Sequence, residues 1–177
     1  MPIRYVKRFP SIIEVSLRDV TEGDLPVFFE QQRDPVANEM AAFPARDWDA
    51  FMAHWTKIMV DETNTIMTIL ADGRVAGNVV SWEKSAERLV GFWIGREYWD
   101  MGIATQALSE FLRHVKARPL YAWVAKHNVG SIRVLEKCGF TISTEDKGSS
   151  DAPGEKVEEV LLKLGESERT FGSRAQT

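Results

Sequence analysis

Residues 88–108 constrain the fold more than any other stretch. A β-rich run, Arg88-Leu89-Val90-Gly91-Phe92-Trp93-Ile94, passes through a short loop into a helical pattern that begins at Gly102. From there Ala104, Ala107, Leu108, Phe111, Leu112 and Val115 fall on one stripe, with Gln106, Glu110, Arg113 and Lys116 opposite. The apolar period thus switches from two to about 3.6 within a dozen residues. Pro119 ends the helical pattern, and 120–125 (Leu-Tyr-Ala-Trp-Val-Ala) reads as a buried strand. A chain that moves from strand to helix to strand in this way has to lay helices against a sheet.

The remaining segments supply that sheet. Residues 12–18 alternate as a first strand, and a helix follows from about Thr21 to Gln32, with Thr21 and Asp24 resembling a capping box. Asp34-Pro35 breaks it, because a residue before proline avoids the α region. A second helix is predicted from Asp47 to Val60, its face formed by Trp48, Phe51, Met52, Trp55, Ile58 and Met59. Residues 65–70 and 74–82 flank Asp72-Gly73, a strong hairpin signal since both positions tolerate positive φ. Residues 83–87 read as a polar loop, and Gly91 within the next strand marks a bulge or a close approach. A short helix from Val129 to Lys137 is stopped by Gly139; strands at 140–144 and 157–164 enclose a polar loop at 145–156. Residues 1–11 read as an N-terminal extension, 12–164 as one domain and 165–177 as a frayed tail. The order β-α-α-β-β-β-α-β-α-β-β gives an α/β (α+β) fold, a mixed sheet with helices on both faces.

Charge and cysteine content exclude several functions. The 177 residues carry 22 Lys plus Arg against 26 Asp plus Glu, a net charge of −4. That balance is wrong for phosphate-driven nucleic-acid binding. Cys138 is the single cysteine, and the three histidines have no metal-ligand spacing, so neither a disulfide framework nor metal catalysis is expected. No apolar run approaches a membrane span, and Glu14 interrupts what a signal peptide would need to keep apolar. The expectation is a cytoplasmic protein without nucleic-acid or membrane partners.

The junction at 99–105 carries the chemistry. The first amides of a helix lack intrahelical acceptors, and the aligned peptide dipoles place about half a positive charge there. Gly102 and Ala104 allow close backbone approach and Thr105 adds a hydroxyl, which together make a phosphate-binding helix start. No Walker sequence is present, and Gly102-x-Ala104-x-x-Ala107 with Ala-Trp-Val at 122–124 does not meet the dinucleotide pattern. An ordinary helix start without ligand is the alternative at this point.

A second segment decides between them. Asn128-Val129-Gly130-Ser131-Ile132-Arg133-Val134-Leu135-Glu136-Lys137-Cys138-Gly139-Phe140 has the form N-x-x-S-x-x-x-L-E-K-x-G-F. With R-x-x-W-x-x-G-I-A-T-x-A-L at 96–108, it resembles the GNAT superfamily of acyl-coenzyme A N-acyltransferases, and most of all the ribosomal-protein alanine acetyltransferase (RimJ/RimL) branch. The resemblance covers about 12–164 and implies a largely antiparallel sheet of six to seven strands with a splayed central pair and about four helices.

It also implies acetyl-coenzyme A as cosubstrate and an amine-bearing acceptor, either a protein N-terminus or a small molecule. The pyrophosphate signature Q/R-x-x-G-x-G/A falls on Trp99, Asp100, Met101, Gly102, Ile103 and Ala104; Trp99 stands where a Gln or Arg is usual, so binding would lean on backbone amides. Phe92, Trp93 and Ile94 would pair with the pantetheine arm, Gly91 would suit the bulge where the strands splay, and Asn128 would contact pantetheine. Many relatives protonate the departing thiolate with a tyrosine, but that position is Leu135 here; the RimL-like serine falls on Ser131, the candidate general acid. Leu89 and Val90 occupy the slots of the usual Glu base, so Glu83 or ordered water is left to take the amine's proton. The implied reaction is direct acetyl transfer in a ternary complex. The competing reading is a coenzyme-A-binding sensor that lost catalysis. A homodimer through a sheet edge is a further expectation.

Overall fold

The computed structural model describes residues 11–144 and 157–166. The element order is β1 (Val15–Asp19), α1 (Leu25–Gln32), α2 (Pro35–Ala41), α3 (Trp48–Val60), β2 (Thr65–Ala71), β3 (Arg74–Lys84), β4 (Glu87–Ile94), α4 (Ile103–His114), β5 (Leu120–Ala125), α5 (Val129–Lys137), β6 (Thr141–Ile142) and β7 (Glu159–Leu164). The seven strands form one sheet in the order β1-β2-β3-β4-β5-β7-β6. All neighbouring pairs are antiparallel except β4 and β5. The predicted 145–156 loop, most of the tail and most of the N-terminal extension lie outside the described residues.

Helices cover both faces, each over its own core. On one face α4 and α5 bury Ile103, Leu108, Phe111 and Leu135 against Ile69, Val79, Val90 and Leu120 of the sheet. On the other, Leu25, Phe28, Phe51 and Trp55 of α1 and α3 pack on Ile66, Val75 and Val80. The β2–β3 turn takes the geometry that Asp72-Gly73 predicts, with φ of 48° and 76°. Beneath α1, the Asp24 carboxylate accepts both guanidinium nitrogens of Arg18 at 2.6 and 2.7 Å, the Thr68 hydroxyl at 2.7 Å and the Thr21 amide at 2.9 Å. Asp24 is 3% exposed, and this saturation is what permits a buried charge.

Three expectations need correction. Asp34-Pro35 ends α1 but also starts α2: Asp34 is extended, its carboxylate accepts the amides of Val36 at 2.9 Å and Ala37 at 3.0 Å, and Pro35 opens the helix without a wasted donor. Residues 83 and 84 belong to β3 rather than to a loop. Gly91 carries no bulge, since β3 and β4 pair without interruption from Gly77–Ile94 to Lys84–Glu87. A Cβ at Gly91 would lie 3.4 Å from the Trp82 indole, so the glycine makes room for that ring. The irregularity sits in the β2–β3 pairing between Ile69 and Leu70.

Candidate active site

The site exists because two parallel strands stop pairing. β4 and β5 are joined at Arg88–Leu120 and Leu89–Tyr121 and then diverge, while each stays paired on its other side. The last five residues of β4 therefore border a wedge about 16 Å long at the usual strand rise. Both strands run toward the open end, and each leads into a helix, α4 after β4 and α5 after β5. The carboxyl ends of parallel strands, with helix starts beside them, are where open α/β sheets bind ligands.

A cavity of about 710 Å³ fills this place, within the usual range for small-molecule sites. It is walled by Phe92, Trp93 and Ile94 on one side, by Trp99, Gly102, Ala104 and Thr105 below, and by Asn128 and Ser131 opposite. The two sequence motifs, some thirty residues apart, thus face one cavity. Met101 is exposed and Ile103 is buried in the core, so neither side chain forms the lining. What those two positions can offer is backbone.

The start of α4 is built for an anion. Its N-cap is Gly102 at φ 76°, preceded by Asp100 at φ 59°, and no side chain caps the helix. The first-turn amides accordingly have no side-chain acceptor, and the helix dipole adds to their field. Trp99 supports this turn in a way its departure from the signature did not reveal: its indole nitrogen donates to the Ile94 carbonyl at 2.9 Å. The loop is fastened to the end of β4 by a side chain instead of offering a cation. The cations come from elsewhere. Arg133 and Lys137, one turn apart on α5, line the same cavity, and neither has an ion-pair partner among the described residues. They add two positive charges to a cavity whose helix start offers only backbone amides. Their i, i+4 spacing was the available signal.

Across the wedge, Asn128 caps α5, its side-chain oxygen accepting the Ser131 amide at 3.2 Å. That bond turns the Asn128 NH₂ group outward as a donor. It also shows that Ser131 satisfies the cap with its backbone, while its hydroxyl makes no hydrogen bond among the described residues. Tyr98 also lines the cavity, from a 3₁₀ turn spanning Arg96–Tyr98; the sequence reading did not single it out. Glu83 lies apart. It is exposed and pairs with Arg88, at the closed end of the wedge and four register positions from the Val79–Phe92 pair, about 13 Å along the strand. The structure does not bring it together with Ser131. Among the described residues no group of three metal-ligating side chains occurs, and no helix is long and apolar enough to cross a membrane.

The residues fit coenzyme A in two respects: uncapped amides and two cations for phosphate, and a β4 edge left unpaired for an amide-bearing arm. Comparison with known proteins agrees. The family model described as Acetyltransferase (GNAT) domain matches residues 14–141. No curated protein sequence matches the chain. Among solved structures, a spermidine N-acetyltransferase from Vibrio cholerae, in complex with CoA and spermine, superimposes with a TM-score of 0.70 at 16% identity over 85% of this chain and 95% of that one. RimJ of Mycobacterium smegmatis, with CoA-disulfide, gives 0.67 at 20% identity over 85% and 81%. The putative acetyltransferase yncA from Salmonella typhimurium, holding acetyl-CoA, gives 0.69 at 16% identity over 91% and 99%. With its splayed strands, its uncapped α4 and most of its length matched by the family model, the chain belongs to the GNAT family and is an acetyl-CoA-dependent N-acetyltransferase.

Proposed function

We propose that this enzyme transfers the acetyl group directly to a primary amine, with both substrates bound together, in the manner of the RimJ/RimL-like branch. The observation that carries the reading is the placement of the α4 start and the Asn128–Ser131 turn on opposite sides of one wedge. The amides of 102–105, with Arg133 and Lys137, take the phosphates. The free edge of Phe92–Ile94 and the Asn128 NH₂ hold the pantetheine amides. The thioester then sits between the strands, where a β4 backbone N–H donates to the carbonyl oxygen as it becomes an oxyanion.

Two protons have to be placed. A primary amine is mostly protonated at neutral pH and must lose a proton before it attacks; with Glu83 distant, water in the wedge accepts it. The leaving sulfur needs one as the C–S bond breaks. Ser131 supplies a hydroxyl hydrogen bond to that sulfur, and since serine is a far weaker acid than a thiol, it gives up its proton only as it takes one from the water that received the amine's. Tyr98 presents a stronger acid to the same cavity, which makes the two residues separable by mutation.

The test is thiol release from acetyl-coenzyme A across a panel of polyamines, amino acids, aminoglycosides and N-terminal peptides. Intersecting initial-rate lines for the best acceptor support transfer in a ternary complex. Parallel lines, the signature of an acetyl-enzyme, would sink it.

A further inference from the structure

A short helix joins the two lips of the wedge. α2 lines the cavity with Ala37, Met40 and Ala41. Near its C-terminus, the Glu39 carbonyl accepts a hydrogen bond from His127 Nε2 at 2.9 Å, and His127 is the residue before Asn128 in the β5–α5 turn. A carbonyl can only accept, so Nε2 carries the hydrogen. At the other end, the Asp34 carboxylate that caps α2 lies 3.5 Å from the guanidinium of Arg96, in the loop between β4 and α4. One end of α2 is tied to the β4 lip and the other to the β5 lip.

Within α2, the Asn38 side chain also donates to the Gln32 carbonyl at 2.8 Å and the Asp34 carbonyl at 2.9 Å, which fixes the first turn. The helix is seven residues long, only Ala37 is fully buried, and it ends on Ala42 in the left-handed region at φ 52°. The Glu39 carbonyl has a second, longer bond from the Ala42 amide at 3.2 Å, and the Asn38 carbonyl takes Phe43 at 3.0 Å. Helices this short draw their stability from tertiary contacts, and the tethers from His127 and Arg96 join this one to the two lips of the wedge.

We propose that α2 is a strap over the thioester end of the cavity, latched by His127 and Arg96, which keeps water from the acetyl group until an amine displaces it. His127 and Arg96 are positioning residues: they act through α2. This inference rests on the acetyl-coenzyme A reading of the cavity. The reaction held in check is attack of water on the thioester carbonyl: a C–O bond forms, the C–S bond breaks, one proton of the water ends on the coenzyme A sulfur, and the other passes to solvent as acetate is released. Excluding water from a reactive acyl group is a general task of such covers.

The test uses the full chain and needs no acceptor. Hydrogen exchange of the Ala42 and Phe43 amides is measured on the unliganded protein, and amine-independent thiol release on added acetyl-coenzyme A. His127→Ala is expected to speed both about two- to tenfold, the value of one hydrogen bond, and Arg96→Ala, which removes a half-exposed ion pair, about two- to fivefold. His127→Gln, which keeps a donor at similar reach, is expected to stay within twofold of the original, and coenzyme A affinity by calorimetry is expected to stay within twofold throughout. Equal behaviour of the Ala and Gln variants would overturn the latch. Faster exchange without faster thiol release would overturn the cover. If the unaltered protein failed to bind coenzyme A, the cavity reading itself would fall, and with it the shielding role, whatever the exchange showed.

Discussion

The indole nitrogen of Trp99 donates to the carbonyl of Ile94 at 2.9 Å, closing the loop that carries the chain from β4 into α4. One bond thereby fixes the last carbonyl of the strand and the position of the uncapped helix start relative to it. At the position where the signature has Gln or Arg, this tryptophan braces the loop through its indole nitrogen.

Trp99→Phe keeps the packing and removes the donor. A loss of about 1 kcal/mol in folding stability is expected from one hydrogen bond. The larger effect falls on coenzyme A, with affinity expected to drop about tenfold as the amides of 102–105 lose their fixed position. Calorimetry beside urea denaturation measures both. An unchanged affinity would mean the loop is braced by other means.

Arg133→Ala and Lys137→Ala should each weaken coenzyme A binding and flatten its dependence on ionic strength. Both side chains are solvent-exposed, so the effect at high salt should shrink toward nothing. Titration at low and high salt checks this.

Ser131→Ala and Tyr98→Phe separate the two proton donors. Loss of the true donor to sulfur is expected to lower kcat about a hundredfold while coenzyme A affinity stays within a few-fold. The other variant is expected to retain most of its turnover. Steady-state kinetics with the best acceptor of the panel decides.

Gly77→Ala is expected to be severe. A Cβ there would stand 1.9 Å from the carbonyl oxygen of Trp93, which is backbone and cannot swing away. A cost of about 3 kcal/mol, from strands forced apart, is expected. The neighbour Gly91 faces only the Trp82 ring edge at 3.4 Å, so Gly91→Ala should be much milder. Thermal melts of the two variants read the contrast.

Asp24 sets an acid limit on the fold. Hydrogen bonds from Arg18, Thr21 and Thr68 hold its carboxylate well below the ordinary value of 3.8, against the opposing cost of burial. A group whose folded pKa is depressed contributes stability above its unfolded pKa and loses it as the pH falls toward the folded one. Stability should therefore decline below about pH 5. Asp24→Asn should flatten that decline and lower stability at neutral pH, where Arg18 would be left without its carboxylate. Urea denaturation at pH 7 and pH 3 measures the difference.

The order of elements was largely legible from local signals. The period-two and period-3.6 runs placed the strands and long helices, and Asp72-Gly73 specified its turn, because both depend on neighbours in sequence. The phosphate-binding helix start was legible for the same reason, while coenzyme A came from the resemblance of the two motifs to the GNAT superfamily. α2 was missed because Asp34-Pro35 was read only as a stop, although the same pair makes a cap and a first helical residue.

What tertiary structure alone decided is whatever depends on distance between remote segments. Gly91 reads from sequence as a bulge or a close approach; strand pairing excludes the bulge and sets the Trp82 ring beside it. That Glu83 lies at the closed end of the wedge follows only from strand register. Arg133 and Lys137 came to line the cavity, and His127 to bond Glu39, only when α5 and its turn were set against α4 and α2. Sequence periodicity determines which face of an element is buried; it carries no information on how far β4 and β5 diverge, and that divergence is the site.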